Sequence, residues 1–323
     1  MQSCTVLYRP VGNTWLRWRR VFSTSLGQDG MTARCIAQLV MCMTLLACGR
    51  STQWSTYGDV SPDGSSLLYS DNGEIYYVQL QTGREAWIVA GSDPVFAGSA
   101  GSMMFAGPDG VVWLCELGTG ASRRITVPSD GQTDGQIAYR PRSRRVFFAR
   151  MRQPGPEGRF RTWDIYSCDA DGSHLIRHTF EDYWSVRMSS QPFDNGHLWF
   201  VEEGRLRDGP PADSALCLAK MDLAPPYALT YFSAPEDAGG PAISPGGRSM
   251  LVSGGKPGQY GLMSYDIQTH SWSITRVAPG LVNNPLFSKN GSEVIYLRKS
   301  DGAVSGWSIH KDGRSRMLFE QEK

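Results

Sequence analysis

A chain of 323 residues with 41% hydrophobic and 11% aromatic residues can build a large core, and its 36 glycines and 19 prolines imply many turns. Formal charge is +1, and residues 1–47 carry five arginines against one aspartate, which leaves about −3 for the rest. That balance gives no basic footprint for nucleic acid, and a single large all-β domain is admissible at this length.

Residues 1–30 set Arg17, Arg19 and Arg20 among Trp15 and Trp18 with no period that could persist into a fold. Met31 is the better start, so 1–30 is expected to be an over-extended reading frame. After Arg34 comes the apolar run Ile36 to Leu46, too short to span a bilayer but of signal-peptide size. It ends Leu45-Leu46-Ala47-Cys48-Gly49, which resembles the lipobox of bacterial lipoproteins. The resemblance implies a signal peptide over 31–47, lipidation of Cys48, a short tether over 48–56 and a folded part outside the cytoplasm. Glycine rather than aspartate at position 49 inclines this reading toward the outer membrane. The alternative is a short N-terminal membrane anchor.

From Gly58 one pattern recurs. Gly58 to Thr82 places a Ser61-Pro62-Asp63-Gly64 turn between two apolar runs, then a second turn and a third run. Proline second and glycine fourth suit a type I or II turn, and Leu67, Leu68, Tyr69, Ile75, Tyr76 and Tyr77 suit pleated strands. Such a unit cannot bury its own face, so it must stack on copies of itself. The second copy holds Met103-Met104-Phe105 and Val111-Val112-Trp113-Leu114, and the third Val146-Phe147-Phe148 and Trp163-Asp164-Ile165-Tyr166. The fourth has Leu198-Trp199-Phe200 and Leu216-Cys217-Leu218. Ser244-Pro245-Gly246-Gly247 with Met263-Ser264-Tyr265 marks the fifth, and Val294-Ile295-Tyr296 with Trp307-Ser308-Ile309 the sixth. Units of roughly 36 to 53 residues, each read as four antiparallel strands, fit propeller blades over 57–323 better than solenoid turns.

Ser-Pro-Asp-Gly, an aliphatic-aromatic strand, Ile-Tyr and then Thr-Gly resembles the repeat of TolB-type six-bladed β-propellers, most closely at 61–83, then at 244–269 and 288–313. The resemblance implies an all-β six-bladed propeller in the cell envelope. It departs from TolB in leaving no room for that protein's N-terminal α/β domain. It departs from the oligopeptidase relatives in having no Gly-x-Ser-x-Gly.

Little in the sequence points to chemistry. Cys115 and Cys168 fall at matching places in adjacent units, too far apart for a disulfide, and with Cys217 read as small core residues. His174 and His178 lie on an expected outer strand, Ser173 to Phe180, where four residues span about 13 Å, too far to share a metal. Gly254-Gly255-Lys256-Pro257 lacks the spacing of a phosphate loop. No cofactor or metal is expected. An enzyme of lyase or lactonase type, the alternative reading, would need groups such as Asp59, Asp93, Asp134 and His197 to converge at the channel mouth.

Four antiparallel strands per unit also separate two faces. Tight turns share one; the loops between second and third strands share the other with the crossovers to the next unit. There two insertions stand out, Arg150 to Thr162 and Glu202 to Ser214, beside the crossover Glu181-Asp182-Tyr183-Trp184. Arg152, Arg159, Arg161, Arg205 and Arg207 are expected to surround Tyr183 and Trp184, a composition typical of binding hot spots. The alternative is two solvated loops whose arginines and acids neutralise one another. The expected function is therefore binding of an envelope protein or peptide by a monomeric propeller, at this face or the channel mouth. Membrane contact is expected through the N-terminal lipid only. Ser315 to Phe319 should complete the sixth unit, so the ring should close by packing rather than by strand exchange.

Overall fold

The structure, a computed structural model, describes residues 57–152, 161–190, 196–205, 216–235, 238–254, 261–276, 281–300 and 303–321. The expectations for 1–56, Cys48 included, and for Arg159 and Arg207 lie outside the described residues, as does the side chain of Arg205.

Every described element is a strand, and the strands fall into antiparallel units of four. The first unit is β1 (Gly58–Val60), β2 (Ser66–Asp71), β3 (Glu74–Gln79) and β4 (Arg84–Ala90). The second is β5 (Ser92–Phe96), β6 (Ser102–Ala106), β7 (Val112–Glu116) and β8 (Ser122–Arg124). β9 (Thr133–Arg140), β10 (Arg145–Arg152), β11 (Thr162–Asp169) and β12 (Ile176–Arg177) make the third. The fourth comprises β13 (Tyr183–Met188), β14 (His197–Arg205), β15 (Leu216–Asp222) and β16 (Leu229–Ser233). In the fifth are β17 (Ala242–Ile243), β18 (Ser249–Gly254), β19 (Gly261–Asp266) and β20 (Ser271–Arg276). β21 (Leu281–Phe287), β22 (Glu293–Ser300), β23 (Ala303–His310) and β24 (Ser315–Glu320) form the sixth. Pairing of Trp163 with Tyr183 joins the third and fourth units into one sheet.

The turns form for the reasons the sequence supplies. Gly64 N donates to Ser61 O at 2.8 Å, and Gly64 has φ 76°, a conformation that favours glycine. Asp63 Oδ1 accepts from Ser61 Oγ and Ser65 N. The same closure recurs at Ser244–Gly247 and Ser288–Gly291, where Asn290 takes the place of Asp63.

Strand alternation distributes the core between units. Leu67 and Tyr69 of β2 pack toward the sixth unit, while Leu68 between them packs with Phe96, Met103 and Phe105 of the second. Phe147 and Phe148 divide likewise between the fourth and second units. Each buried residue of this kind contributes about 1.5–3 kcal/mol, so the stabilising contacts lie mostly between sheets. First strands lie side by side, β1 with β5, β5 with β9, β9 with β13 and β17 with β21, and β21 returns to β1.

At that return the ring closes by packing. β24 supplies the outer strand by pairing with β23, and Phe319 stacks on Tyr69 at 5.4 Å between centroids. A Cβ on Gly306 would lie 2.0 Å from the Phe319 ring, so only glycine lets that ring settle there. Lys299 Nζ reaches Asp71 Oδ1 at 2.5 Å across the same seam.

Two sequence expectations need correction. The outer strand of the third unit covers only Ile176–Arg177, not Ser173 to Phe180, because side chains replace the ladder beyond it. Thr179 Oγ1 accepts from Ile165 N, and Asp164 Oδ1 accepts from Thr179 Oγ1 and Glu181 N. The insertions also begin later than expected: Arg150 to Arg152 continue β10, and Glu202 to Arg205 continue β14.

Candidate functional site

The first strand of each unit runs from the crossover face to the turn face along the axis of the ring. Around the axis, Tyr57, Asp93, Gln136, Met188 and Ser190, from four units, line a cavity of about 10 Å³, room for one water. The Tyr57 hydroxyl is hydrogen-bonded to Gln136, and burial pushes its pKa up, with Asp93 adding to the rise and Arg187 opposing it. Gln136 Nε2 donates to Asp93 Oδ1 at 3.2 Å and Ser92 Oγ to Asp93 Oδ2 at 3.1 Å. Burial raises the Asp93 carboxyl despite these donors.

One residue deeper, the axis is closed. Gly58 O of β1 accepts from Ser190 Oγ of the fourth unit at 2.9 Å and from Asn284 Nδ2 of β21 at 3.1 Å. The first and fourth units stand across the ring from each other, so the Ser190 bond bridges the axis itself. Gly58 is required within its own unit, where a Cβ would meet Leu68 O of β2 at 2.6 Å.

The four groups considered for catalysis do not converge. Asp59 points between units, its Oδ2 accepting from Phe96 N at 2.9 Å, its Oδ1 buried without a hydrogen-bond partner, and its pKa raised by burial to about 8. Asp134 is locked in a buried two-point ion pair with Arg150 at 2.6 and 2.9 Å. His197 opens β14 at the turn face, 2.8 Å from Asp222, at the opposite end from Asp93. Among the described residues no group of three or more His, Cys, Asp or Glu is placed to hold a metal. Exposed His174 pairs with half-buried Asp169, while His178 is buried against Ser167 at 2.7 Å, and the two serve separate local roles.

The expected aromatic pair on the crossover face is corrected. Tyr183 is fully buried between the third and fourth units, its hydroxyl 2.9 Å from that of Tyr231, because alternation along β13 turns it inward. Trp184, the next residue, is half-buried. Arg152 lies beside them, paired with Asp182 at 3.1 Å, and Arg161 is exposed. The aromatic ring displayed at this crossover is Phe180, 69% exposed with the Arg177 guanidinium 4.3 Å from its centre. Sequence reasoning passed over Phe180 because it counted it in a strand. Gln136, Ser190 and Asn284 carried no motif; only their place on first strands marks them.

The fold and this closed axis define a β-propeller. Its fold is that of the TolB-type propellers. It matches the TolB structure from Acinetobacter baumannii with a TM-score of 0.59 at 16% identity, over 87% of this chain and 67% of that one. A TolB-type structure from Agrobacterium tumefaciens matches with a TM-score of 0.51 at 15% identity, over 82% of this chain and 80% of that one. An oligogalacturonate lyase in complex with manganese matches with a TM-score of 0.52 at 14% identity, over 77% and 74%. The likeness is one of fold. No family model and no curated protein matches the sequence.

Proposed function

We propose that this propeller is a lipid-anchored protein of the bacterial envelope that binds a protein or peptide partner on its crossover face. The closed axis carries the reading. A cavity of about 10 Å³ beneath bonds to Gly58 O admits neither a sugar ring nor a peptide residue, whereas small-molecule sites are usually some hundreds of Å³. Among the described residues the rim offers the larger surface, where Phe180, Trp184 and Arg161 stand with the Arg152–Asp182 pair, and Arg159, Arg205 and Arg207 follow in the adjoining sequence.

A lyase or lactonase acting at the channel mouth is the second reading. It is favoured by the buried Asp93 carboxyl at that mouth and by the likeness in fold to oligogalacturonate lyase. Crosslinking and capture from intact envelopes distinguishes the two. Phe180→Ala with Trp184→Ala should remove one dominant partner, while Asp93→Asn should leave capture intact. An unchanged partner list in the double variant would sink the binding reading.

A further inference from the structure

The described chain enters the fold at one defined point. Tyr57 immediately precedes β1, is itself partly exposed, and lines the axial cavity with Asp93, Gln136 and Met188. Because β1 runs from the crossover face to the Ser61–Gly64 turn, Tyr57 marks the point on the crossover face at which the described chain begins. Eight residues lie between Cys48 and Tyr57, and the nine steps reach about 30 Å at 3.3–3.6 Å per residue fully extended. The turn face lies a further strand length away, about 20 Å.

The exposed apolar groups are distributed in keeping with this. Val127, 83% exposed, and Phe180, 69% exposed, are the two most exposed large apolar residues among those described. They sit on successive crossovers, from the second unit to the third and from the third to the fourth, both on the face where the chain enters. Arg161 is exposed on the same face, and Arg177 lies over Phe180. Arg177 is itself paired with Asp164, so Val127 and Phe180 stand out on this face as apolar tips rather than as part of a cationic ring.

We propose that in the anchored protein the crossover face is turned toward the bilayer, and that its partner is a protein itself held in the membrane, presenting an apolar extracytoplasmic segment to Val127 and Phe180. The inference rests on lipidation of Cys48 and on the binding reading above. A partner reaching this face must lie within the span of the tether, which favours one already at the membrane by confining both to a thin layer.

Orientation is tested on the lipidated, full-length protein in vesicles that carry a nitroxide on the lipid headgroup. Mass analysis first checks for an acylated Cys48. A fluorophore on Val127→Cys should be quenched several-fold more strongly than one on Lys289→Cys, a position on the turn face. Equal quenching, or stronger quenching at 289, overturns the orientation; an unmodified Cys48 overturns the anchor and the orientation with it. The partner is tested by inserting about 20 Gly/Ser residues between Cys48 and Tyr57. Capture of the Phe180-dependent partner should fall several-fold. Undiminished capture overturns the membrane-held partner while leaving binding at Phe180 in place, whereas capture indifferent to Phe180→Ala defeats the binding reading itself.

Discussion

Asp59 is the residue whose chemistry most strongly opposes its surroundings. Its carboxyl is buried between the first two blades with one oxygen bonded to Phe96 N and the other unpartnered, and its pKa is raised to about 8. Between pH 4 and 8 the folded protein therefore holds a proton that the unfolded chain has released. Asp59 stabilises at low pH, and that contribution is lost as pH rises toward 8. His178 acts in the opposite sense: burial, aided by Arg145, lowers its pKa to about 4, so stability rises with pH from 4 to about 6.5. The two slopes oppose one another below 6.5, which leaves pH 6.5 to 8 as the window governed by carboxyls that burial raises, Asp59 and Asp93 among them, with the Asp59 share read from its variant. Asp59→Asn should flatten the fall in urea midpoint across that window and raise stability at pH 8 by on the order of a few kcal/mol. An unchanged pH profile would show that the carboxyl is already ionised and accommodated in the folded protein.

At the scale of the strand pair, the seam between the first and sixth blades joins apolar packing to one charge pair. Lys299 and Asp71 are 13% and 8% exposed, and Asn72 Nδ2 also donates to Asp71. Lys299→Met leaves that carboxylate poorly compensated and should cost about 3 kcal/mol by denaturant titration. Adding Asp71→Asn should recover much of the loss. Additive effects in the double variant would mean that the two groups do not interact. Much of this seam was legible in the sequence: the Ser-Pro-Asp-Gly turns and the alternation of Leu67, Leu68 and Tyr69 announce strands that stack, and Ser315 to Phe319 was recognisable as an outer strand. The crossover after β11 was not. Its course is set by side-chain bonds from Asp164 and Thr179 that have no periodicity, so a run that looked extended became a capped loop and Phe180 came to the surface. Tyr183 was misplaced for a related reason, since one residue of register decides which neighbour in a strand is buried.

Across the whole molecule, cohesion resides between sheets, and the final strand completes the last of those interfaces. A chain ending after Gly313 lacks β24 and with it Phe319, whose ring stacks on Tyr69 and fills the space left by Gly306. Such a truncated protein should lose its cooperative unfolding transition and bind a hydrophobic dye. A sharp transition with full amplitude would show that the ring closes without its last strand. The closed axis makes a separate claim at this scale: Ser190→Ala removes the bond that bridges opposite blades and should cost about 1 kcal/mol by urea titration while leaving partner capture unchanged.

Closure by packing also imposes an order in time. A ribosome, or a translocation pore, delivers the first blade first, and its face of Leu67, Tyr69 and Val78 has no cover until Leu286, Ile295 and finally Phe319 emerge. Some 240 residues must be delivered in that interval, with one sticky blade surface waiting throughout. The nascent protein is thus most vulnerable to misassembly at its oldest part, and a holdase that shields the first blade until the last residues are released would act where the exposure is longest.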